Sequence, residues 1–315
     1  MRKACLDMVH VLAKRDPRVV FIGSDLSPGL LDAMKGEFPD RHYMEGVAEQ
    51  HIVGMAAGMA LDGWLPYVNT IATFITRRCY EQVAVDVCMH NLPVRLIGNG
   101  GGLVYAPLGP THQAIEDIAI MRALPNMTIV APADAEEMRR FMDVSLDWPQ
   151  PIYIRLGKGG DPVVTRPEDG FTIGKAVHLR EAAGTRSGPV LLVSTGVATN
   201  RALCAAERLE ADGVGAHVLH VPTVKPLDVP ALVALARTSA LVVTVEEHSV
   251  VGGLGSAVTD ALVEHLDGRV PRLRRIGIPD VFARDYGSQD HLMDGFGLHP
   301  DAIARTVWEA LSHGG

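Results

Sequence analysis

Small residues are concentrated in one stretch of the chain, EGVAEQHIVGMAAGMALDG, which runs from Glu45 to Gly63. Its apolar positions that recur at helical spacing are Val53, Ala56, Ala57 and Ala60. This spacing predicts a helix over 48–62. A helix with so little side-chain bulk can lie very close to another backbone, as helices do when they pack on a sheet. The stretch therefore favours a layered α/β fold.

Glu49 lies at the predicted N-terminus of this helix. Acidic residues are common in the first turn of helices, where they interact favourably with the helix dipole, so one interpretation is a structural carboxylate. The alternative is a functional carboxylate at the end of a strand, because ligands bind there in open α/β sheets. The residues of this stretch leave both interpretations open.

The composition agrees with a large α/β core and limits the classes of partner. The 315 residues are enough for two domains, and 47% of them are hydrophobic, while only 5% are aromatic. A net charge of −8 without a basic run argues against nucleic acid. The sequence shows neither a signal-peptide pattern nor a membrane-length apolar run, so we expect a cytoplasmic protein. The four cysteines are scattered, which predicts neither a zinc site nor a disulfide framework.

Strands and helices alternate along the chain, as is typical of parallel sheets covered by helices. The predicted strands are 18–23, 42–44, 66–70, 93–97, 127–131, 152–156, 190–194, 216–221, 240–245 and 272–277. The predicted helices are 3–14, 48–62, 75–89, 113–123, 134–146, 200–212, 229–237, 253–265 and 300–312. Gly, Pro and charged residues interrupt the alternation over 157–175, which predicts a linker. We therefore predict two doubly wound α/β domains, 1–172 and a smaller one over 173–315.

Four segments, in this order and spacing, resemble the transketolase family of thiamine-diphosphate enzymes. They are GSDLSPGLLDAMKGEFPDRHYMEGVAEQH, the ATF of residues 72–74, GPTHQAIEDIAIMRALPNMTIVAPAD and VTVEEHSVVGGLGSA. The resemblance is to the C-terminal half of transketolases and of deoxyxylulose-phosphate synthases. It implies a thiamine-diphosphate pyrimidine-binding domain followed by a transketolase C-terminal domain. No segment matches the first half, which carries the GDG…N motif that holds Mg²⁺ and the diphosphate in the family.

The resemblance implies that several residues hold the cofactor. Glu49 matches the family carboxylate that binds N1′ of the aminopyrimidine, and Phe74 matches an aromatic residue that packs on the same ring. Val47 and Leu26 match apolar positions around the bent cofactor, and Asp25 lies beside them in the sequence. The alternatives are a core role for Phe74 and a place in the sheet packing for Leu26.

The resemblance also implies residues that face the substrate. His112, in GPTHQ, matches a histidine next to the reacting carbon, where a near-neutral pKa suits proton transfer to a carbonyl oxygen. Its neighbour Gln113 is assigned to the substrate pocket. A lone loop histidine is otherwise more often a surface residue.

The resemblance assigns two arginines and one leucine to the substrate pocket as well. Arg155 matches an arginine that grips the substrate phosphate, and the alternative is a strand-end salt bridge. Arg77 is assigned to the substrate as well, although Arg77 and Arg78 could both be solvated charges on a helix. Leu108 stands where sugar transketolases carry an acidic residue that reads hydroxyl groups. We therefore expect a donor or acceptor outside the standard pentose phosphates.

Taken together, the resemblance implies the C-terminal subunit of a split transketolase-like enzyme. Such an enzyme transfers a two-carbon ketol unit from a ketose or ketose phosphate to an aldehyde or other acceptor through thiamine diphosphate. The partner would be an N-terminal subunit with the GDG…N motif that holds Mg²⁺, in an expected α2β2 heterotetramer, and the chain would be active only with it. The alternatives are acyl transfer from pyruvate, the β subunit of a 2-oxo-acid dehydrogenase, and a non-catalytic subunit that kept the fold.

Overall fold

The computed structural model describes residues 1–24, 26, 29–183, 188–268 and 270–312. The strands among these residues are β1 (Val19–Gly23), β2 (His42–Met44), β3 (Leu65–Ile71), β4 (Arg95–Asn99), β5 (Thr128–Val130), β6 (Ile152–Leu156), β7 (Val177–Arg180), β8 (Val190–Ser194), β9 (Ala216–His220), β10 (Thr223–Lys225), β11 (Leu241–Ser249) and β12 (Arg272–Ile278). The α-helices are α1 (Arg2–Arg15), α2 (Asp32–Glu37), α3 (Glu49–Leu61), α4 (Tyr80–Gln82), α5 (Asp117–Arg122), α6 (Ala135–Ser145), α7 (Ala198–Ala211), α8 (Val229–Ala236), α9 (Leu254–His265), α10 (Gln289–Gly295) and α11 (Pro300–Ser312). Each of these helices is too short or too polar to cross a lipid bilayer.

The described strands form two sheets. The first has the order β10-β5-β6-β4-β3-β1-β2, and the second has the order β12-β11-β8-β9-β7. Neighbouring strands are parallel except at one edge of each sheet, where β10 pairs antiparallel with β5 and β7 pairs antiparallel with β9. The strand order of the first sheet changes direction between β1 and β3, and ligands bind at the carboxyl ends of strands at such a switch point.

Alternate residues of the first sheet face two layers of helices. On β1, Ile22 lies in one buried cluster with Val53 of α3, while Phe21 lies in the opposite cluster with Leu6 of α1. The period of two in a strand produces this separation, and each buried side chain of this size contributes about 1.5–3 kcal/mol. The helices therefore cover both faces, and α3 begins at the carboxyl edge of the sheet.

The predicted α/β class with parallel sheets is confirmed, and several elements differ in detail. The strands β7 and β10 were not predicted. They have four and three residues, and they pair antiparallel with β9 and β5, strands that are distant in the sequence, which local patterns do not reveal. The pairing of β10 with β5 also joins the second half of the chain to the first sheet. The predicted boundary at residue 172 stays a prediction.

The prediction of one regular helix over 75–89 is wrong. The structure has a π-helical segment at Phe74–Arg78, the short α4, and a second π-helical segment at Val83–Cys88. The Met89 N–H donates to the Ala84 carbonyl, five residues back, at 2.9 Å. Apolar spacing over so few residues does not separate wide turns from α-helical ones, so the sequence did not reveal these segments.

The helix predicted over 113–123 begins only at Asp117. The residues before it pair with the glycine-rich loop instead, because Ala114 and Gly102 exchange two backbone hydrogen bonds of 3.0 and 2.8 Å. This pairing brings the GPTHQ segment back across the end of β4.

Arg95 of β4 is fully buried and holds the connection between α6 and β6. Its guanidinium donates to the carbonyls of Ser145 and Gln150, both at 2.9 Å, and to that of Trp148. Burial lowers the pKa of Arg95 to about 10. The carbonyls at the end of a helix lack partners within the helix, so this arginine satisfies groups that the fold would otherwise leave unpaired.

We expect Arg95→Met to destabilise the chain by about 3 kcal/mol, because buried carbonyls lose their donors and methionine offers none. Urea denaturation of the purified chain measures the change. Arg139→Met, on the solvent side of α6, is the matched control and should change the free energy of unfolding by less than about 0.5 kcal/mol. Equal stability of Arg95→Met and the unsubstituted chain would contradict this role.

Candidate active site

The turn between β2 and α3 positions Glu49. Gly46 in this turn has φ +70°, a backbone conformation that favours glycine, and the Glu45 N–H donates to the Gly23 carbonyl at 3.0 Å. Helix α3 then begins at Glu49, whose side chain is only 3% exposed. A carboxylate so deeply buried requires a partner, because an unpaired buried charge is costly.

Glu49 belongs to a group of four side chains that we call the Glu49 cluster: Glu49, Phe74, Arg78 and His112. Nη1 of Arg78 donates to Oε2 of Glu49 at 2.7 Å. The same guanidinium lies 4.0 Å from the centroid of the Phe74 ring. The rings of Phe74 and His112 meet edge to face, with centroids 5.3 Å apart. Residues predicted from three separate motifs are thus brought together at the carboxyl edge of the first sheet.

Some buried polar atoms beside the cluster in the sequence, and near the ends of β3 and β4, lack partners in the described part of the chain. Gln113 is 2% exposed, and both polar atoms of its side chain lack hydrogen-bond partners among the described residues. Nδ2 of Asn69, Oδ1 of Asn99 and Oγ1 of Thr73 are buried and unpaired in the same sense. Asn69 and Asn99 lie near or at the carboxyl ends of β3 and β4. Buried polar groups are normally satisfied, so unpaired groups at this edge indicate space for water or for a ligand. The four motifs did not assign Asn69, Asn99 or Thr73 to the site, although Thr73 lies within the ATF segment.

The glycine-rich loop after β4 is packed with side chains. A Cβ on Gly100 would lie 2.2 Å from the Tyr105 ring, one on Gly101 2.5 Å from the Arg155 side chain, and one on Gly102 2.4 Å from the Glu247 carboxyl carbon. Such distances are far below van der Waals contact. These glycines are therefore required for the close approach of three side chains.

The structure gives Arg155 internal partners. Its Nε donates to Oδ2 of Asp117 at 2.7 Å, and its Nη2 donates to the carbonyls of Glu247 at 2.8 Å and Ala114 at 3.2 Å. The side chain is 6% exposed. The ion pair with Asp117 agrees with the alternative of a strand-end salt bridge, and the grip on a substrate phosphate stays a prediction of the resemblance.

The remaining residues that the sequence assigned to the cofactor or substrate differ in their exposure and in their partners. Val47 and Leu108 are 67% and 52% exposed, whereas Leu26 is half-buried and lines a cavity of about 200 Å³ beside β1 and β2. Arg77 pairs with Glu116 at 3.0 Å, and its side chain is 35% exposed. Asp25 lies outside the described residues. The roles of these residues in binding cofactor or substrate stay predictions.

The Glu246-Glu247-His248 segment of β11 fixes the loop from the other half of the chain. Oε1 of Glu247 accepts hydrogen bonds from the Leu103 N–H at 2.7 Å and from Nε2 of Gln289 at 2.9 Å. Glu246 accepts from the backbone N–H groups of Leu254 and Gly255 at the start of α9. The segment therefore links the second sheet to the loop that leads into GPTHQ.

Burial sets the protonation of this segment. It raises the pKa of Glu246 and that of Glu247 to about 7 each, against an ordinary value of 4.5. The Arg155 charge opposes this effect at Glu247. Burial also lowers the pKa of His248 to about 4. At neutral pH, His248 is therefore uncharged.

We expect the Glu247 carboxyl to make stability depend on pH. Between pH 4.5 and about 7 the folded chain binds this proton more tightly than the unfolded chain, so the stabilisation is lost as the pH rises through that range. Relative to Glu247→Gln, the free energy of unfolding of the unsubstituted chain should decrease by on the order of 3 kcal/mol from pH 4.5 to 7. Denaturation at a series of pH values measures it.

The lowered pKa of His248 acts in the opposite direction, because its contribution is present above pH 6.5 and is lost as the pH falls toward 4. The unsubstituted chain and Glu247→Gln share this contribution, so it cancels in the difference between their free energies of unfolding. Glu81→Gln, at an exposed position, is the control. A free-energy difference that stays constant with pH would overturn this assignment.

Comparison with known proteins identifies both halves of the chain. A family model described as the transketolase pyrimidine binding domain matches residues 1–160, and one described as the transketolase C-terminal domain matches residues 174–303. A 6-deoxy-6-sulfo-D-fructose transketolase subunit from Clostridium sp. is 37% identical over 98% of this chain and 94% of its own length.

Two further comparisons bear on the type of enzyme. A 1-deoxy-D-xylulose-5-phosphate synthase from Synechococcus sp. is 40% identical over 94% of this chain, which spans 45% of that protein. The solved structure of a split gene transketolase, described as an inactive beta4 tetramer, is 36% identical with a TM-score of 0.88, covering 99% of this chain and 98% of that chain.

Proposed function

The chain belongs to the transketolase family, as a subunit of the split type, and we propose that it supplies half of an active site that transfers a two-carbon ketol unit through thiamine diphosphate. The family membership predicted from the four motifs is confirmed. The cofactor, the partner subunit and the substrates are part of the proposal.

The observation that carries the proposal is the Glu49 cluster. It combines a carboxylate that is 3% exposed, an aromatic ring and a histidine at the carboxyl edge of a parallel sheet. These groups fit an aminopyrimidine, because the ring needs a flat apolar surface and its N1′ needs a carboxylate partner. The unpaired side-chain atoms of Gln113, which follows His112 in the chain, supply a further donor and acceptor.

When bound, thiamine diphosphate supplies the carbon nucleophile and the electron sink of the reaction. Glu49 would bind N1′ and hold the proton there, inside a site that excludes water and so strengthens the hydrogen bond. Phe74 would orient the ring. His112 is half-buried, and its Nδ1 lies 2.9 Å from Oγ1 of Thr111, which fixes the ring so that Nε2 can exchange a proton with a substrate oxygen.

The diphosphate and Mg²⁺ are assigned to a partner subunit. The side chains of Tyr105, Arg155 and Glu247 occupy the space beside the glycines at positions 100–102. This loop therefore does not form a phosphate cradle. The exposed apolar side chains of Val47 and Met44, close to Glu49 in the chain, provide surface for a partner to cover. The family's GDG…N motif on an N-terminal subunit would complete the site, in an α2β2 assembly.

The residue type at position 108 favours an altered substrate. Leu108 is 52% exposed where sugar transketolases carry an acidic residue, and the Tyr286 ring lies against the neighbouring Gly109. A pocket that hydrogen-bonds a hydroxyl can discriminate by orders of magnitude, and an apolar rim cannot. The substrate is therefore proposed to lack, or to replace, a hydroxyl group at that point. The identity with a deoxyxylulose-phosphate synthase keeps acyl transfer from pyruvate as the second candidate.

We expect the chain alone to show no transfer activity and to bind thiamine diphosphate weakly, since the proposal assigns the diphosphate site to the partner. Calorimetric titration with thiamine diphosphate and Mg²⁺, before and after addition of the N-terminal subunit, measures this. Assays of the complex with ketose phosphates and with pyruvate as donors separate the two candidate reactions. Turnover by the purified chain without a companion would contradict the division of the site.

We expect Glu49→Gln to assemble with the partner and to bind thiamine diphosphate in excess, because the partner anchors the diphosphate. Exchange of the C2 hydrogen of the bound cofactor, followed by NMR in D₂O, should slow about a hundredfold to ten-thousandfold, as for other positioned proton-transfer groups. If Glu49 only begins a helix, the substitution should instead cost about 1 kcal/mol of stability and leave exchange unchanged. An unaltered rate of C2 hydrogen exchange in Glu49→Gln would therefore contradict the proposed role of Glu49 and support only its structural role at the start of α3.

A further inference from the structure

Arg78 is the member of the Glu49 cluster that the motifs did not assign. Its guanidinium makes two contacts at once, a 2.7 Å hydrogen bond to Oε2 of Glu49 and a stacking contact 4.0 Å from the centre of the Phe74 ring. These are the carboxylate and the ring surface that the proposed function assigns to the aminopyrimidine. Both groups are therefore engaged by the Arg78 side chain in the structure.

The guanidinium of Arg78 and the aminopyrimidine ring of the cofactor have similar binding chemistry. A guanidinium is planar and delocalised, donates N–H groups to a carboxylate, and stacks on aromatic rings. An aminopyrimidine protonated at N1′ is also planar, presents an N–H to the carboxylate, and stacks on the same ring. Both cannot bind Oε2 of Glu49 and the face of Phe74 in the same way at the same time.

We propose that Arg78 occupies the position that the proposed function assigns to the pyrimidine ring, and that it must move away when the cofactor binds. The inference rests on the proposed function, because it takes Glu49 and Phe74 as the residues that bind the pyrimidine. Arg78 thereby partners the buried Glu49 carboxylate until the cofactor arrives, and it competes with the cofactor for the same two groups.

The surroundings of Arg78 allow this movement. Its side chain is 42% exposed, while that of Glu49 is 3% exposed. The long, flexible stem can therefore carry the guanidinium into solvent, whereas Glu49 is held at the start of α3. An exposed arginine gives up little on leaving an ion pair, while a buried carboxylate gains much from having a partner.

Arg77, which precedes Arg78 in the chain, has different partners. Nη2 of Arg77 donates to the carbonyls of Thr111 and Gln113 at 3.3 and 3.4 Å, and its Nε pairs with Glu116. These contacts fix Arg77 to the GPTHQ segment. Arg78 points toward Glu49 instead, so only one of two adjacent arginines is in position to compete with the cofactor.

A competing side chain has a measurable consequence. A ligand whose site is open for only part of the time binds with an apparent affinity reduced by that fraction. Removing Arg78 should therefore tighten the binding of thiamine diphosphate, by roughly tenfold if Glu49 and Phe74 are free of Arg78 about one tenth of the time. The same substitution should make the cofactor-free chain less stable, because Glu49 loses its partner.

The test uses the complex of the chain with its N-terminal subunit. Calorimetric titration with thiamine diphosphate at saturating Mg²⁺ gives the dissociation constant for the unsubstituted complex, for Arg78→Ala and for Arg78→Lys. Thermal unfolding of the cofactor-free chain gives the second measurement. Arg139→Ala, which removes an exposed arginine paired with Glu136 on α6, is the matched control.

We expect tighter cofactor binding and a lower melting temperature for Arg78→Ala, and partial return toward the unsubstituted values for Arg78→Lys, which keeps the charge. In a Glu49→Gln background, removal of Arg78 should change affinity much less, because the ion pair is already weakened. Where Arg78→Ala does not assemble, Arg78→Gln replaces it in the same measurements.

Unchanged or weaker cofactor binding in Arg78→Ala would overturn the inference. Weaker binding would make Arg78 a ligand of the cofactor, and unchanged binding with a raised KM would make it a substrate contact. Failure of the unsubstituted complex to bind thiamine diphosphate would instead reject the proposed function, so the two failures are distinguishable.

Discussion

The arrangement of the site depends on the ion pair and hydrogen bonds made by the buried guanidinium of Arg155. It extends from the end of β6 and pairs with Asp117 at the start of α5, and its Nη2 donates to the Glu247 carbonyl on β11. Its stem lies against Gly101. One side chain therefore connects the first sheet, the second sheet and the glycine-rich loop. Because a buried charge is stable only with complete pairing, these three elements are held at fixed separations.

This connection explains why the second half of the chain matters to a site built from the first. Glu247 supports the loop at Leu103 and Gly102, and the loop leads through Leu108 to His112. His112 in turn contacts Phe74, whose ring receives the Arg78 guanidinium. The residues proposed to do chemistry are exposed or half-buried at the edge, apart from Glu49. The residues that position them are buried between the two halves.

The sequence predicted a large part of this arrangement. The period-two and period-3.6 patterns located the central strands and α3 because burial on one or both faces forces apolar residues to recur at those spacings. The motifs identified Glu49, Phe74 and His112, which the structure brings together. The edge strands β7 and β10 escaped prediction, since each forms by antiparallel pairing with a strand distant in the sequence. The π-helical segments escaped because their hydrogen-bond pattern leaves little trace in apolar spacing.

What the sequence determined by itself was the fold class and the family, because each depends on local patterns or on motifs read in order. What only the tertiary structure decided was which partner each charged side chain has. Arg77 and Arg78 are adjacent in the chain, yet one is fixed to the GPTHQ carbonyls and the other binds Glu49. Arg155 ends a strand, and its place between the two sheets is set by Asp117 and by the Glu247 carbonyl, 38 and 92 residues away. Long flexible side chains take their partners from whatever the packing of distant elements brings within reach, and no local pattern specifies that choice.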